Sequence, residues 1–172
     1  MIQNERITLR ALEPEDIETL YQWENEIALW NVSNTIAPFS KHQLKQYVQH
    51  ARLDVFQTKQ LRLIIEQIGP GEMVGMIDLF DYDPFHRRGG IGILIHSDYR
   101  HQGFASEALE LFTAYLFNHL GLHQVYASIS GDNTASIKLF EQAGFEQTGL
   151  RKAWRRQGKK YIDELFFQKI NI

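Results

Sequence analysis

The chain has 172 residues, a formal net charge of −3, no cysteine, and 44% hydrophobic and 12% aromatic residues. That length and composition suit one domain with a substantial core and exclude a disordered chain, while the charge makes nucleic acid an unlikely main partner. Without cysteine there are no disulfides, no thiolate catalysis and no cysteine-ligated zinc. No apolar run approaches the ~20 residues of a membrane span and the first residues lack a signal-peptide form, so a cytoplasmic protein without a membrane partner is expected.

Residues 7–12 read as a first strand. Pro14 suits a first helical position, and Ile17, Leu20, Tyr21 and Ile27 form a helical stripe after it. Ser40-x-x-Gln43 has the form of a capping box, and Leu44, Tyr47, Val48, Ala51 and Val55 continue at helical spacing. Residues 61–67 and 73–82 read as strands joined by a Gly69-Pro70-Gly71 turn. Residues 91–96 form a short central strand. Phe104, Ala108, Leu111, Phe112, Tyr115 and Leu116 then make the apolar face of a helix ended by Gly121. After a strand at 125–129, Asp132 or Asn133 caps a short helix that Gly144 closes. Residues 145–150 and 161–169 are the last strands. The order β-α-α-β-β-β-α-β-α-β-β predicts an α/β fold with a mixed sheet and helices on both faces, in a single domain over 1–172.

The most informative stretch is Arg100-His101-Gln102-Gly103-Phe104-Ala105, set between the central strand and the long helix. Amides at a helix start have no intrahelical partner and sit at the positive end of the dipole, so the turn can hold a phosphate or pyrophosphate. Gly103 lets a ligand approach the backbone, Ala105 keeps the first turn open, and Arg100 adds a cation. A P-loop is excluded, because no Gly-Lys is followed by Ser or Thr. The Rossmann fingerprint is excluded too, because Gly89, Gly90 and Gly92 precede or lie within the strand. A second segment runs from Asp132 to Phe145 as Asp-Asn-Thr-Ala-Ser-Ile-Lys-Leu-Phe-Glu-Gln-Ala-Gly-Phe. In it Asn133, Ser136, Ile137 and Phe140 share one helical face.

The two segments resemble the pyrophosphate loop, [Q/R]-x-x-G-x-[G/A], and the N-x-x-[AS]-x-x-x-[YF]-E-x-x-G-F motif of the GNAT N-acetyltransferase superfamily. The N-terminal Thr8-Leu9-Arg10-Ala11-Leu12 followed by an acidic helix resembles the branch of ribosomal-protein and spermidine N-acetyltransferases. The likeness spans nearly the whole chain. It implies a GNAT-like mixed central sheet and direct transfer of an acetyl group from acetyl-CoA to a primary amine, on a small molecule or a protein N-terminus, with no metal. It further implies that the pyrophosphate lies on Arg100, His101, Gln102, Gly103, Phe104, Ala105 and Ser106. The pantetheine arm would pair with Ile93, Leu94 and Ile95 and touch Asn133, Ser136 and Phe140, and a backbone N–H near Ile95 would hold the oxyanion. Gly92 is expected to mark the place where neighbouring strands part. Relatives often assemble as homo-oligomers.

The proton steps are less legible. Many relatives carry tyrosine where this chain has Phe140, so the thiolate's proton would come from water or another hydroxyl, with Ser136 and Tyr161 as candidates. A non-catalytic CoA-binding or regulatory module is the alternative reading. His86 is the first candidate to shuttle a proton near neutrality, with His96 as a second. Asp78, Asp81, His86 and Trp30 are the candidate substrate-binding residues. Asp78 and Asp81, three apart, face opposite sides of a regular strand. Glu24 and Glu26 are followed by an uncharged stretch over 27–36, which supports a polycation site poorly. His119 and His123 read as surface residues, and the basic run over 151–160 around Trp154 as a solvated hairpin.

Overall fold

A computed structural model describes residues 1–33, 35–51 and 54–172. Among these residues eight strands form one sheet: β1 (Ile2–Gln3), β2 (Ile7–Ala11), β3 (Leu61–Gln67), β4 (Glu72–Asp83), β5 (Arg88–Ile95), β6 (Gln124–Ser130), β7 (Glu146–Gln157) and β8 (Lys160–Ile170), in the order β1-β2-β3-β4-β5-β6-β8-β7. Of these neighbours only β5 and β6 run parallel, and the helix α5 (Phe104–Asn118) makes the crossover between them. The remaining helices are α1 (Ile17–Glu24), α2 (Ile27–Ser33), α3 (Lys41–His50), α4 (Val55–Thr58) and α6 (Thr134–Gln142). Among the described residues, no helix is long and apolar enough to cross a membrane.

The middle strands are buried on both faces, which is why Leu63-Ile64-Ile65 is a continuous apolar run rather than an alternating one. Alternate side chains enter two cores. Leu63, Ile65, Ile77 and Leu79 pack with Phe104, Leu109, Phe112 and Leu116 of α5. Ile64 and Met76 pack on the other face with Leu20, Trp23, Leu44 and Val48 of α1 and α3. Burial of a side chain such as Phe112, with no exposed surface, contributes about 2–3 kcal/mol.

The capping box forms as expected: the Ser40 hydroxyl accepts from Gln43 N, and Gln43 Oε1 accepts from Ser40 N. Several local expectations need correction. Pro14 opens a 3-10 turn (Pro14–Asp16), and α1 follows it. Ile27 belongs to α2 and is exposed, because Asn25 and Glu26 interrupt the helix. Val55 begins the separate helix α4, capped by Asp54. A two-residue β1, too short to show periodicity, precedes the first expected strand. Asp81 has φ +50° in a bulge between Phe80 and Asp83, so the two-residue alternation used for Asp78 and Asp81 does not hold there. The basic stretch after Leu150 continues as strand β7 to Gln157.

Candidate active site

The parallel ladder between β5 and β6 covers only Arg88↔Gln124, Gly89↔Val125 and Gly90↔Tyr126. Beyond it the strands part, while β5 stays paired with β4 as far as Ile95↔Gly75. Successive residues of a strand turn their N–H and C=O to opposite edges. His96 N donates to Val74 O on β4 at 3.0 Å, so the even-numbered residues face β4, and Ile93 and Ile95 present their backbone groups to the gap. Gly92, expected at the divergence, lies two residues past the last pair.

The turn before α5 is built by backbone conformations that few residues adopt. His101 has φ +61° and Gly103 φ +88°. The first intrahelical bond runs from Glu107 N to Gly103 O, so the amides of Phe104, Ala105 and Ser106 have no intrahelical acceptor. Gln102 Nε2 donates to Asp98 O at 3.1 Å, and Arg100 Nε donates to Ile95 O at 3.1 Å. From outside, Arg6 Nη2 donates to Gln102 O at 3.0 Å, and Arg6 also pairs with Glu107. This turn, Ile93 to Ile95 and the first turns of α6 line a groove of about 700 Å³. At its edge Asn133 caps α6 by accepting from Ser136 N at 3.1 Å.

On the opposite face of the sheet lies a cavity of about 770 Å³ lined by residues of α1, α3, β3, β4 and β5. Its polar centre is Arg62, whose Nε and Nη2 bind both oxygens of Asp78 at 2.6 and 3.0 Å and whose Nη1 binds Glu24 at 2.7 Å. The Tyr47 ring lies 5.2 Å from Arg62 Cζ. Burial opposes the charge on Arg62, but Asp78 and Glu24 more than offset it and hold the guanidinium above its ordinary value. Burial also raises the Tyr47 phenol, which stays protonated as a donor. A third cavity, again about 770 Å³, opens between β5 and β6 and includes Trp30, Ser136, Phe140, Trp154 and Glu164. Ile93 lines all three cavities, and Gly92 lines two.

The residues expected on the cofactor side therefore converge. Ile93, Leu94, Ile95, Arg100, His101, Gly103, Phe104, Ala105, Ser106, Asn133 and Ser136 all line the groove. Gln102 braces its turn instead, and Phe140, 3% exposed and edge-on to Phe145, faces the cavity between the strands. On the acceptor side, Asp78 lines the cavity behind the sheet, and Trp30 lines the one between the strands, with its Nε1 donating to Glu24 O at 3.0 Å.

Asp81 and His86 are not brought to these cavities. His86 sits on the exposed β4–β5 turn with its Nδ1 2.8 Å from Asp83, and Arg88 beside it is about 16 Å of extended strand from Ile93. His96 stacks on Trp23 with ring centroids 4.8 Å apart, and Tyr161 is exposed. Arg62, half-buried, and Glu164, buried, are charged residues that no sequence motif singles out. A lone cation inside Leu61-Arg62-Leu63, a strand too apolar to expose a face, is the signal that points to the first. Glu164, buried and bound by Arg151 at 2.7 Å, has no such signal, because it follows Asp163 in a polar stretch.

This geometry has clear counterparts. The family described as "Acetyltransferase (GNAT) domain" matches residues 6–146. The SPbeta prophage-derived uncharacterized N-acetyltransferase YokL of Bacillus subtilis is 30% identical over 158 residues, covering 91% of this chain and 86% of that protein. The spermidine N(1)-acetyltransferase of Vibrio cholerae is 24% identical over 147 residues, covering 85% and 82%. The crystal structure of spermidine N-acetyltransferase from Vibrio cholerae in complex with CoA and spermine superposes with a TM-score of 0.88 at 23% identity, covering 97% of this chain and 96% of that one. A parted parallel strand pair, a helix-start amide turn beside it and a family match over most of the length make this chain a member of the GNAT acetyltransferases, which move an acetyl group from acetyl-CoA to an amine.

Proposed function

We propose that the chain transfers acetyl from acetyl-CoA directly to a primary amine, on a small molecule or a protein N-terminus. One observation carries this reading: the groove beside the amide turn and the cavity behind the sheet lie on opposite faces, yet share Ile93 and Leu94 where β5 and β6 part. A carrier entering from one side and an amine from the other meet there without crossing the core.

Acetyl-CoA brings an activated acyl thioester. The free amides of Phe104, Ala105 and Ser106 hold its pyrophosphate, and Ile93 and Ile95 pair with its extended arm as an added strand would. The N–H of Ile95 or Ile93, aimed into the gap, stabilises the oxyanion that forms when the amine attacks the carbonyl carbon. As the C–S bond breaks, the proton that the attacking nitrogen loses passes to the sulfur through water or through the Ser136 hydroxyl, which gives one proton as it takes another, since Phe140 has none to give. His86 has no part in this scheme, because its exposed turn lies far from the opening.

The test is release of CoA, followed with a thiol reagent, from acetyl-CoA and a panel of primary amines. Amine-dependent release with a matching acetylated product is expected. Binding of CoA without release from any amine overturns the reading in favour of a non-catalytic module.

A further inference from the structure

The three charged groups lining the cavity behind the sheet define what kind of amine it accepts. Glu24, Arg62 and Asp78 are the charged residues among those that line it. One guanidinium against two carboxylates leaves a single net negative charge. Each oxygen of Asp78 already accepts from Arg62, whereas Glu24 spends only Oε1 on it, so the freer acceptor is Glu24. Its side chain is 10% exposed, Oε1 accepts from Arg62, and Oε2 has no hydrogen-bond partner among the described residues. That oxygen keeps contact with solvent, so a ligand's donor can take the place of water there. The rest of the wall joins the apolar and aromatic Trp23, Leu29, Phe39, Leu44 and Tyr47 to the uncharged polar Thr35, Gln43 and Gln60.

We infer that Arg62 is a specificity-determining residue, which restricts the acceptor to a singly charged amine with an apolar or aromatic body, seated against Glu24. The inference rests on the acetyl-transfer reading above and names its substrate class. A second ammonium entering the cavity has no unneutralised anion to meet, and it approaches a fixed guanidinium in a weakly screened site. A diamine or polyamine is therefore penalised twice. A monoamine loses one hydration shell, gains Glu24 Oε2, and places its body on the aromatic wall. Arg62 acts here by cancelling charge rather than by touching the reacting atoms, so its effect falls on the choice between amines.

The experiment compares kcat/KM for phenethylamine and spermidine in the wild type, in Glu24→Gln and in Arg62→Met. The wild type is expected to favour phenethylamine by at least about tenfold. Glu24→Gln keeps the Arg62–Asp78 pair and should raise the phenethylamine KM by about tenfold, while the KM for acetyl-CoA changes less than twofold. Arg62→Met should shift the ratio toward spermidine by at least about tenfold. Should that variant fail to fold, Glu24→Gln and the wild-type ratio still decide the matter. A wild type that prefers spermidine, or a Glu24→Gln enzyme with an unchanged phenethylamine KM, overturns the charge argument and leaves acetyl transfer standing. No CoA release from either amine in a protein that binds acetyl-CoA overturns both.

Discussion

Ile93 and Ile129 would be partners if the parallel register of β5 and β6 continued, but the ladder stops at Gly90↔Tyr126 and both residues line the opening instead. The site depends on this missing pairing. It leaves the N–H groups of Ile93 and Ile95 and the C=O of Ile93 without a strand partner at the place where two cavities from opposite faces meet. The cost of opening a sheet there is limited by β4, which holds the far edge of β5 through Ile95.

That support makes Gly75 a sensitive position. A Cβ there would lie 2.4 Å from the backbone oxygen of Leu94 and 2.8 Å from the Ile95 side chain. Since the nearest obstacle is main chain, the strands themselves must shift. Gly75→Ala is expected to lose about 2–3 kcal/mol of stability in urea unfolding and to weaken acetyl-CoA binding with it. A loss below about 0.5 kcal/mol would show that the β4–β5 spacing is softer than described.

Arg6 ties the N-terminal segment to the amide turn through Gln102 O and Glu107, with its guanidinium over the Phe104 ring at 5.0 Å. Because the ion pair is half exposed, its removal should hardly alter stability. Arg6→Met should instead raise the KM for acetyl-CoA by about fivefold, equivalent to about 1 kcal/mol of lost turn positioning, with kcat nearly unchanged. Equal losses in kcat and in unfolding free energy would mark Arg6 as merely structural.

Phe140 provides the sharpest test of the proton step. Its ring is buried against Phe145 and faces the opening, where an added hydroxyl has a cavity to enter. Phe140→Tyr is expected to leave kcat equal or higher. A fall of tenfold or more would show that the leaving sulfur lies elsewhere.

Asp16 accepts from Arg10 Nη1 and Nη2 and from Glu13 N, each at 2.8 Å. Burial pushes its carboxyl up, and Arg10 with the Glu13 amide pulls it down further, so the folded value lies below the ordinary one. A depressed carboxylate stabilises the fold above its unfolded value of roughly 3.9 and ceases to do so as pH falls through the folded value. Asp16→Asn should cost about 2 kcal/mol at pH 7, and the difference from wild type should shrink below pH 4. A pH-independent difference between the two would exclude the charge as its source.

How much could be read in advance follows from which signals are local. The strand boundaries at 61–67, the Ser40 capping box and the Asn133 cap were legible because each depends on residues within a turn of one another. The amide turn was legible because Gly103 and its neighbours form it from one contiguous stretch. The cluster behind the sheet was legible only in part: Asp78 stands among the substrate candidates, but its meeting with Glu24 and Arg62, from α1 and β3, comes only once the sheet has formed. His86, whose chemistry suits a proton shuttle, sits on the exposed turn between β4 and β5, away from the three cavities. Ile27 and Val55 continued helical stripes that the chain interrupts after Asn25 and at Asp54, where polar residues end one helix and start another.

The proposed activity depends on the unpartnered amides of the turn at Gly103 holding acetyl-CoA next to the opening between β5 and β6. Isothermal titration of the full chain with CoA, set beside Gly103→Glu, tests it most directly. One-to-one binding in the micromolar range by the wild type, abolished by the added carboxylate in a variant with an unchanged unfolding transition, is the expected result. No heat at millimolar CoA, or equal binding by the two proteins, would contradict it.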